Sequence, residues 1–233
     1  MSGVRRVRFW DDVHVVAEAG GFSVRLDARP VRVMNDAVLR PVGRTLAEAL
    51  AAEWRLAGGG KGGVFGAEDF VLNGLAATMQ EHVLPAPDAA ADRLMGFADG
   101  ELLCYRARFP DVLAALQAEA WQPWLDWLHA THAIRLRVTA GIIPVAQPEP
   151  ALATLRQVLG RSSAAVLTGL GVVVPGLGSL VLGLALAEAV ALARLDERFQ
   201  TSHWGMDREA EAQAARLQVD IALAARFMTL ADG

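Results

Sequence analysis

An uncharged apolar stretch, Ala164–Ala187, most constrains what this chain can fold into; it reads AAVLTGLGVVVPGLGSLVLGLALA. One helix of this length could cross a bilayer, because a span takes about 20 apolar residues. Pro175 lies at its centre, in the sequence PGLGS, and proline followed by glycines favours a break in a helix. The sequence therefore predicts two packed helices, 166–174 and 180–190, within a protein core. A membrane-associated protein held by residues 164–187 is the alternative.

Composition narrows the class of protein further. The chain has 233 residues, of which 53% are hydrophobic and 21% charged, so it can bury a large core. Its net charge is -4 and no basic stripe stands out, so no nucleic-acid partner is expected. Cys104 is the only cysteine, and we expect a small buried residue there. The opening residues MSGVRRVRFWDD lack the apolar segment of a secretory signal, which indicates the cytoplasm of a bacterium.

Strand patterns come first along the chain and helical patterns follow. Apolar residues alternate with polar ones from Phe22 to Leu26, as in a half-buried strand, and residues 13–17 are the expected hairpin partner. Thr45 and Glu48 have the spacing of a capping box, which predicts the start of the first helix. Beyond Asp69 the patterns are mainly helical. The sequence therefore predicts an α+β fold.

Three motifs suggest chemistry, and each is incomplete. The glycine-rich residues 58–63, GGGKGG, lack the hydroxyl residue that a phosphate-binding loop needs after its lysine, so a flexible loop is predicted. His129 and His132 lie one turn apart, but no third metal ligand stands at a recognised spacing. Ser179 follows Gly178 without the second glycine of a nucleophile elbow, and we expect it to cap or pack a helix. No cofactor and no metal are expected.

The densest polar cluster is the segment LDERFQTSHWGMDREAE, residues 195–211. Its notable members are Asp196, Glu197, Gln200, His203 and Trp204. In a helix, Asp196, Gln200 and His203 would share one side, and Glu197 would align with Gln200 and Trp204. Three interpretations stay open at this point. The segment could be a solvated helix end, a surface that binds a partner, or the acid–base group of a hydrolase built from Asp196, Glu197 and His203.

Eight motifs in sequence order carry a family resemblance. They are RFW at 8–10, GFSVRLDARPVR at 21–32, LAEALAAEW at 46–54, ELLCYRA at 101–107, WQPWLDW at 121–127, GIIPVAQP at 141–148, GSLVLGLALAEA at 178–189 and LDERFQTSHWGMD at 195–207. Together they resemble the assembly chaperones of the ATP synthase F(1) sector that protect the alpha subunit. The chain departs from that family at Ala28, where glycine is usual, and at Gly74, which stands where the family has arginine.

The resemblance implies a small mixed α/β N-terminal domain, residues 1–84, followed by a larger all-α orthogonal helical bundle, residues 85–233. It implies no catalytic activity and no small-molecule substrate. Such a chaperone holds the free alpha subunit until the beta subunit replaces it, and its eukaryotic counterparts lie in the mitochondrial matrix. The resemblance also makes Glu197 the first candidate for partner binding, together with Asp196, Gln200 and Trp204.

Overall fold

The computed structural model describes residues 5–141, 143–193 and 208–231, and it confirms the α+β class. Its strands are β1 (Arg6–Val7), β2 (Val13–Glu18), β3 (Gly21–Leu26), β4 (Arg29–Pro30), β5 (Val64–Phe65), β6 (Tyr105–Arg106) and β7 (Thr139–Ala140). Its helices are α1 (Arg44–Leu56), α2 (Val71–Thr78), α3 (Pro87–Met95), α4 (Asp111–His132), α5 (Glu149–Gly160), α6 (Ala164–Leu177), α7 (Leu180–Ala193) and α8 (Arg208–Ala231).

The predicted hairpin is confirmed as β2 and β3, which pair antiparallel with Val15 opposite Val24. Gly21 closes its turn at a φ of 146°, and a Cβ there would lie 2.6 Å from the carbonyl oxygen of Pro41. Only glycine fits this close backbone approach. The sheet packs against α1, which buries Leu46 and its neighbours on the helix face towards the strands.

The predicted capping box at the start of α1 is wrong. The helix begins at Arg44 with Gly43 as its N-cap, and no side chain caps it. Thr45 is therefore already inside the first turn, where it cannot act as the cap. Glu48 instead lies between two arginines, 3.9 Å from Arg44 Nη2 and 3.3 Å from Arg55 Nη2.

The apolar stretch forms two helices, as predicted, but the break is not at Pro175. Helix α6 continues through the proline to Leu177, and the chain reverses at Gly178, whose φ is 65°. A proline inside a helix removes the hydrogen bond to the carbonyl four residues earlier. That residue is Gly171, which is exposed and has nothing near its missing side chain, so its carbonyl can be hydrated instead.

Helices α6 and α7 are buried against the rest of the protein. Leu170, Val173, Val174 and Val181 are fully enclosed. Among the described residues, no helix has both the length and the apolar character needed to span a bilayer.

Two hydrophobic clusters form the core, and α8 contributes to both. The first contains Trp10 and the strands, and it includes Phe227 of α8. The second lies among the later helices, and it includes Met228 of α8. Helices α6 and α8 approach closely at Gly169, where a Cβ would lie 2.5 Å from Met228 Cγ. The domain boundary at residue 84 stays a prediction.

Candidate partner-binding surface

The predicted polar cluster lies outside the described residues. This applies to Asp196, Glu197, Gln200, His203 and Trp204, which fall between Ala193, the last residue of α7, and Arg208, the first of α8. Their role in binding stays a prediction.

The two histidines of α4 have separate partners in the helical part. His132 Nε2 lies 2.6 Å from Glu188 Oε1 on α7, and the His132 ring meets Trp127 edge-on at 5.6 Å. His129 Nε2 lies 2.6 Å from Arg135 Nη2. In the described parts of the chain, no group of three potential ligands could hold a metal ion.

Helix α4 exposes an apolar face along residues 112–124. We call this the α4 apolar face; its members are Val112, Leu113, Leu116, Ala120 and Trp124, and every one is exposed. Val112 is 70% and Leu116 54% accessible to solvent. Four of these residues are spaced by four, and Leu113 lies three residues before Leu116, so all five lie on one side of the helix. Phe109, just before the helix, is still more exposed.

The opposite side of α4 attaches the helix to the protein. Leu125 and Leu128 are buried in the second cluster, and Trp121 packs against it. The guanidinium of Arg106 lies 5.4 Å from the Trp121 ring, over its face, and donates to the carbonyl oxygen of Gln117 at 2.7 Å. The side chain of Gln117 accepts the backbone N–H of Ala107 at 2.6 Å. The apolar face is therefore held outwards by contacts that do not use it.

A third side of α4 is acidic. Asp111, Glu119 and Asp126 are exposed there, and we call these three residues the α4 acidic edge. The helix contains no lysine and no arginine in its 22 residues. These three carboxylates therefore have no lysine or arginine on the same helix to offset their charge.

Glu101 is the most deeply placed carboxylate in the described structure, and its role is to hold α7. It is fully buried, and it accepts the backbone N–H of Leu180 at 2.8 Å and of Val181 at 3.1 Å. It also accepts from the Ser179 hydroxyl and from the N–H of Leu103. Burial raises the pKa of Glu101, and the four donors limit the rise.

Ser179 caps α7, as its sequence predicts. Its Oγ accepts the backbone N–H of Leu182 at 3.0 Å and donates to Glu101. This fully buried hydroxyl faces a carboxylate and not a histidine, so it lacks the base that activates a serine nucleophile. Cys104 is buried as expected, and burial together with the nearby Glu101 charge raises the pKa of its thiol to about 12. At neutral pH this thiol is protonated and unreactive.

Two surface grooves also lack acid–base groups. One, of about 360 Å³, is lined by Phe9, Leu26, Arg29, Pro30, Val31, Arg32 and Trp54. The other, of about 410 Å³, lies between α3 and α6, and Arg93 is the one charged residue among its described lining residues. Neither lining includes a described aspartate, glutamate or histidine, which a general acid or base would require.

Sequence patterns did not identify the α4 apolar face as exposed. Leu113, Leu116, Trp121, Trp124 and Leu128 all appear as apolar positions of one amphipathic helix, and nothing local separates the buried from the exposed ones. The available signal was the breadth of the apolar arc, which is wider than one helix face buries.

Comparison with known proteins places this arrangement in a family. Residues 7–129 match the family model described as ATP12 chaperone protein. The crystal structure of Atp12 from Paracoccus denitrificans is 38% identical, covers 97% of this chain and 98% of its own, and superposes with a TM-score of 0.82. A variant of that protein with one Asp-to-Lys substitution gives the same identity and TM-score. The Atu1473 protein of Agrobacterium tumefaciens is 30% identical over 96% of this chain and 85% of its own, with a TM-score of 0.81.

Proposed function

Because this chain belongs to the ATP12 chaperone family, which assists assembly of ATP synthase, we propose that its client is the free alpha subunit of the F(1) sector. In this proposal the chain prevents aggregation of the alpha subunit until the beta subunit replaces it. Binding is stoichiometric and involves no catalytic turnover. We further propose that this takes place in the bacterial cytoplasm.

The observation that carries the proposal is the family match, which extends in structure over 97% of the chain. The physical logic agrees with it. A subunit outside its ring exposes apolar interface, which is an aggregation hazard. A protein that protects such a subunit needs exposed apolar surface of its own, and α4 provides it. Glu197, with Asp196, Gln200 and Trp204, stays the predicted polar part of the contact.

Co-expression tests the proposal. We expect the isolated alpha subunit to become more soluble when this chain is present, and the two to elute together from gel filtration. The isolated beta subunit is the matched control, and it should gain no solubility. Adding beta subunit to the complex should release this chain. An alpha subunit that stays insoluble and forms no complex would overturn the proposal.

A further inference from the structure

We propose that the α4 apolar face is the docking surface of this chaperone, and that its occupant is an apolar patch with a basic rim on the client subunit. The proposal rests on the proposed function and adds to it the surface and the chemistry of the contact. It uses residues 111–126 of α4, which are separate in sequence from the polar cluster of residues 195–211.

The α4 apolar face is exposed, and the helix that carries it is fixed in place. Its members are exposed, while Gln117 and Trp121 attach the helix from another side through Arg106. A helix fixed in this way loses little conformational freedom when a partner covers it, which favours binding. The surface therefore has the properties of a preorganised docking site.

The spacing suits a helix that lies in a groove. Val112, Leu116, Ala120 and Trp124 follow one another at four-residue intervals, and Leu113 lies beside them. Helices that bind in apolar grooves use anchors at three- and four-residue intervals. Trp124 adds a large aromatic side chain, the type most often dominant in interface energetics.

The charge beside the α4 apolar face indicates which kind of partner surface binds there. The α4 acidic edge of Asp111, Glu119 and Asp126 runs beside the apolar face, and the helix carries no basic side chain other than its histidines. A complementary surface therefore carries lysine or arginine along that edge. A second copy of this chain fits less well, because antiparallel α4 helices would place their two acidic edges on the same side, where they repel.

The first test removes the apolar anchors. A Val112→Ser, Leu116→Ser double variant should bind isolated alpha subunit at least about tenfold more weakly than wild type. The matched control is Val42→Ser with Leu56→Ser, which alters two residues that are 71% and 79% exposed far from α4 in sequence. This control should stay within about twofold of wild type. Leu116→Met, which keeps the apolar volume, should retain binding.

A second test leaves the apolar face intact, so it still decides the question if the double variant fails to fold. Glu119→Arg with Asp126→Arg should slow association with the alpha subunit by about tenfold at low salt, and the difference from wild type should shrink at high salt. Asp220→Arg, on the exposed side of α8, is the control and should leave the rate unchanged. Far-ultraviolet circular dichroism and the thermal midpoint show whether each variant is folded.

The outcomes separate this proposal from the proposed function. If the wild-type protein binds no alpha subunit, the proposed function and the proposed docking surface are both overturned. If wild type binds, and both α4 variants bind like their controls, only the docking surface is overturned. Gel filtration of the chain alone tests whether a second copy occupies the surface. If wild type is a dimer, and the double serine variant is a monomer with unchanged affinity for the alpha subunit, the occupant is a second copy and the proposal is overturned.

Discussion

Two glutamates, Glu53 and Glu101, receive the backbone N–H groups that begin a helix, one in each half of the molecule. Glu53 of α1 accepts from Leu72 at 2.8 Å and from Asn73 at 3.0 Å, in the first turn of α2. Glu101 accepts from Leu180 and Val181 in the first turn of α7. Both place negative charge at the positive end of a helix dipole, where it is stabilising.

The depth of the two carboxylates differs. Glu53 is half-buried, so water can replace part of what it provides. Glu101 is fully enclosed, and the residues that donate to it are buried as well: Leu103, Ser179, Leu180 and Val181. Burial also raises the pKa of Glu101, which makes its contact depend on protonation. We therefore expect the same hydrogen-bonding arrangement to stabilise the fold more at Glu101 than at Glu53.

Removing Glu101 should have the largest effect. Glu101→Ala should lower the free energy of unfolding by about 3 kcal/mol or more, because several buried donors lose their acceptor at once. Urea denaturation measures the change. Ser179→Ala keeps the two backbone donations from α7 to Glu101 and loses only the hydroxyl contacts with Leu182 and Glu101, so it is the matched control and should cost about 1–2 kcal/mol. A Glu101→Ala protein as stable as this control would show that depth does not matter.

Removing Glu53 should have a smaller effect. Glu53→Ala should cost about 1–2 kcal/mol, the range of a lost helix cap, because Glu53 itself is only half-buried and water can take part of its place. The same urea titration applies. Glu48→Ala, on the same helix with two exposed arginine partners, should change stability by less than about 0.5 kcal/mol. Equal losses of unfolding free energy from Glu53→Ala and Glu101→Ala would contradict the expected difference between the two glutamates.

The pH dependence of stability sharpens the comparison. Because the folded-state pKa of Glu101 is raised above its ordinary value of 4.5, the folded state binds a proton more readily than the unfolded state. The contribution of Glu101 to stability is therefore fully present below pH 4.5 and declines as pH rises through the folded-state pKa. As pH rises from 4.5 through the folded-state pKa of Glu101, we expect the free energy of unfolding of wild type to fall relative to that of Glu101→Gln. Glu53→Gln measured in parallel is the control, and a flat difference for Glu101→Gln would contradict the expectation.

The smallest effect on stability is predicted for a third glutamate, Glu197, which lies outside the described residues. Glu197→Gln should shift the free energy of unfolding by less than about 0.5 kcal/mol, as expected for a surface charge. Binding of the alpha subunit should weaken markedly, and more for Glu197→Lys than for Glu197→Gln. Thermal midpoint and affinity are measured on the same preparations. A large fall in the midpoint would make Glu197 a structural residue like Glu101.

The sequence predicts local features of this fold better than distant ones. The β2–β3 hairpin follows from alternation, and the two helices of the apolar stretch follow from its glycines, although Pro175 lies inside α6. The capping box at Thr45 failed because the helix begins earlier, at Gly43 and Arg44. The Glu101–Ser179 contact joins residues 78 positions apart, and no periodicity indicates such a pair.

Prediction of the candidate site from the sequence is limited in the same way, because it too depends on contacts between distant residues. The apolar residues of α4 are visible in the sequence, but which of them face the core depends on α7, on strand β6 and on the turn Leu102–Cys104 before it. The sequence itself says nothing about those contacts. The polar cluster around Glu197 rests on family resemblance, and its role stays a prediction.

The burial of the two neighbouring residues Phe227 and Met228 has a consequence for folding during synthesis on the ribosome. Phe227 is fully enclosed in the first cluster, with Trp10 and the strands, although more than two hundred residues of synthesis separate them. While the chain emerges, the N-terminal half therefore lacks one wall of its own core. It can collapse and form its hairpin, but it cannot reach its final packing until α8 has left the exit tunnel. Helix α8 thus completes the first cluster and the second together, through two adjacent residues.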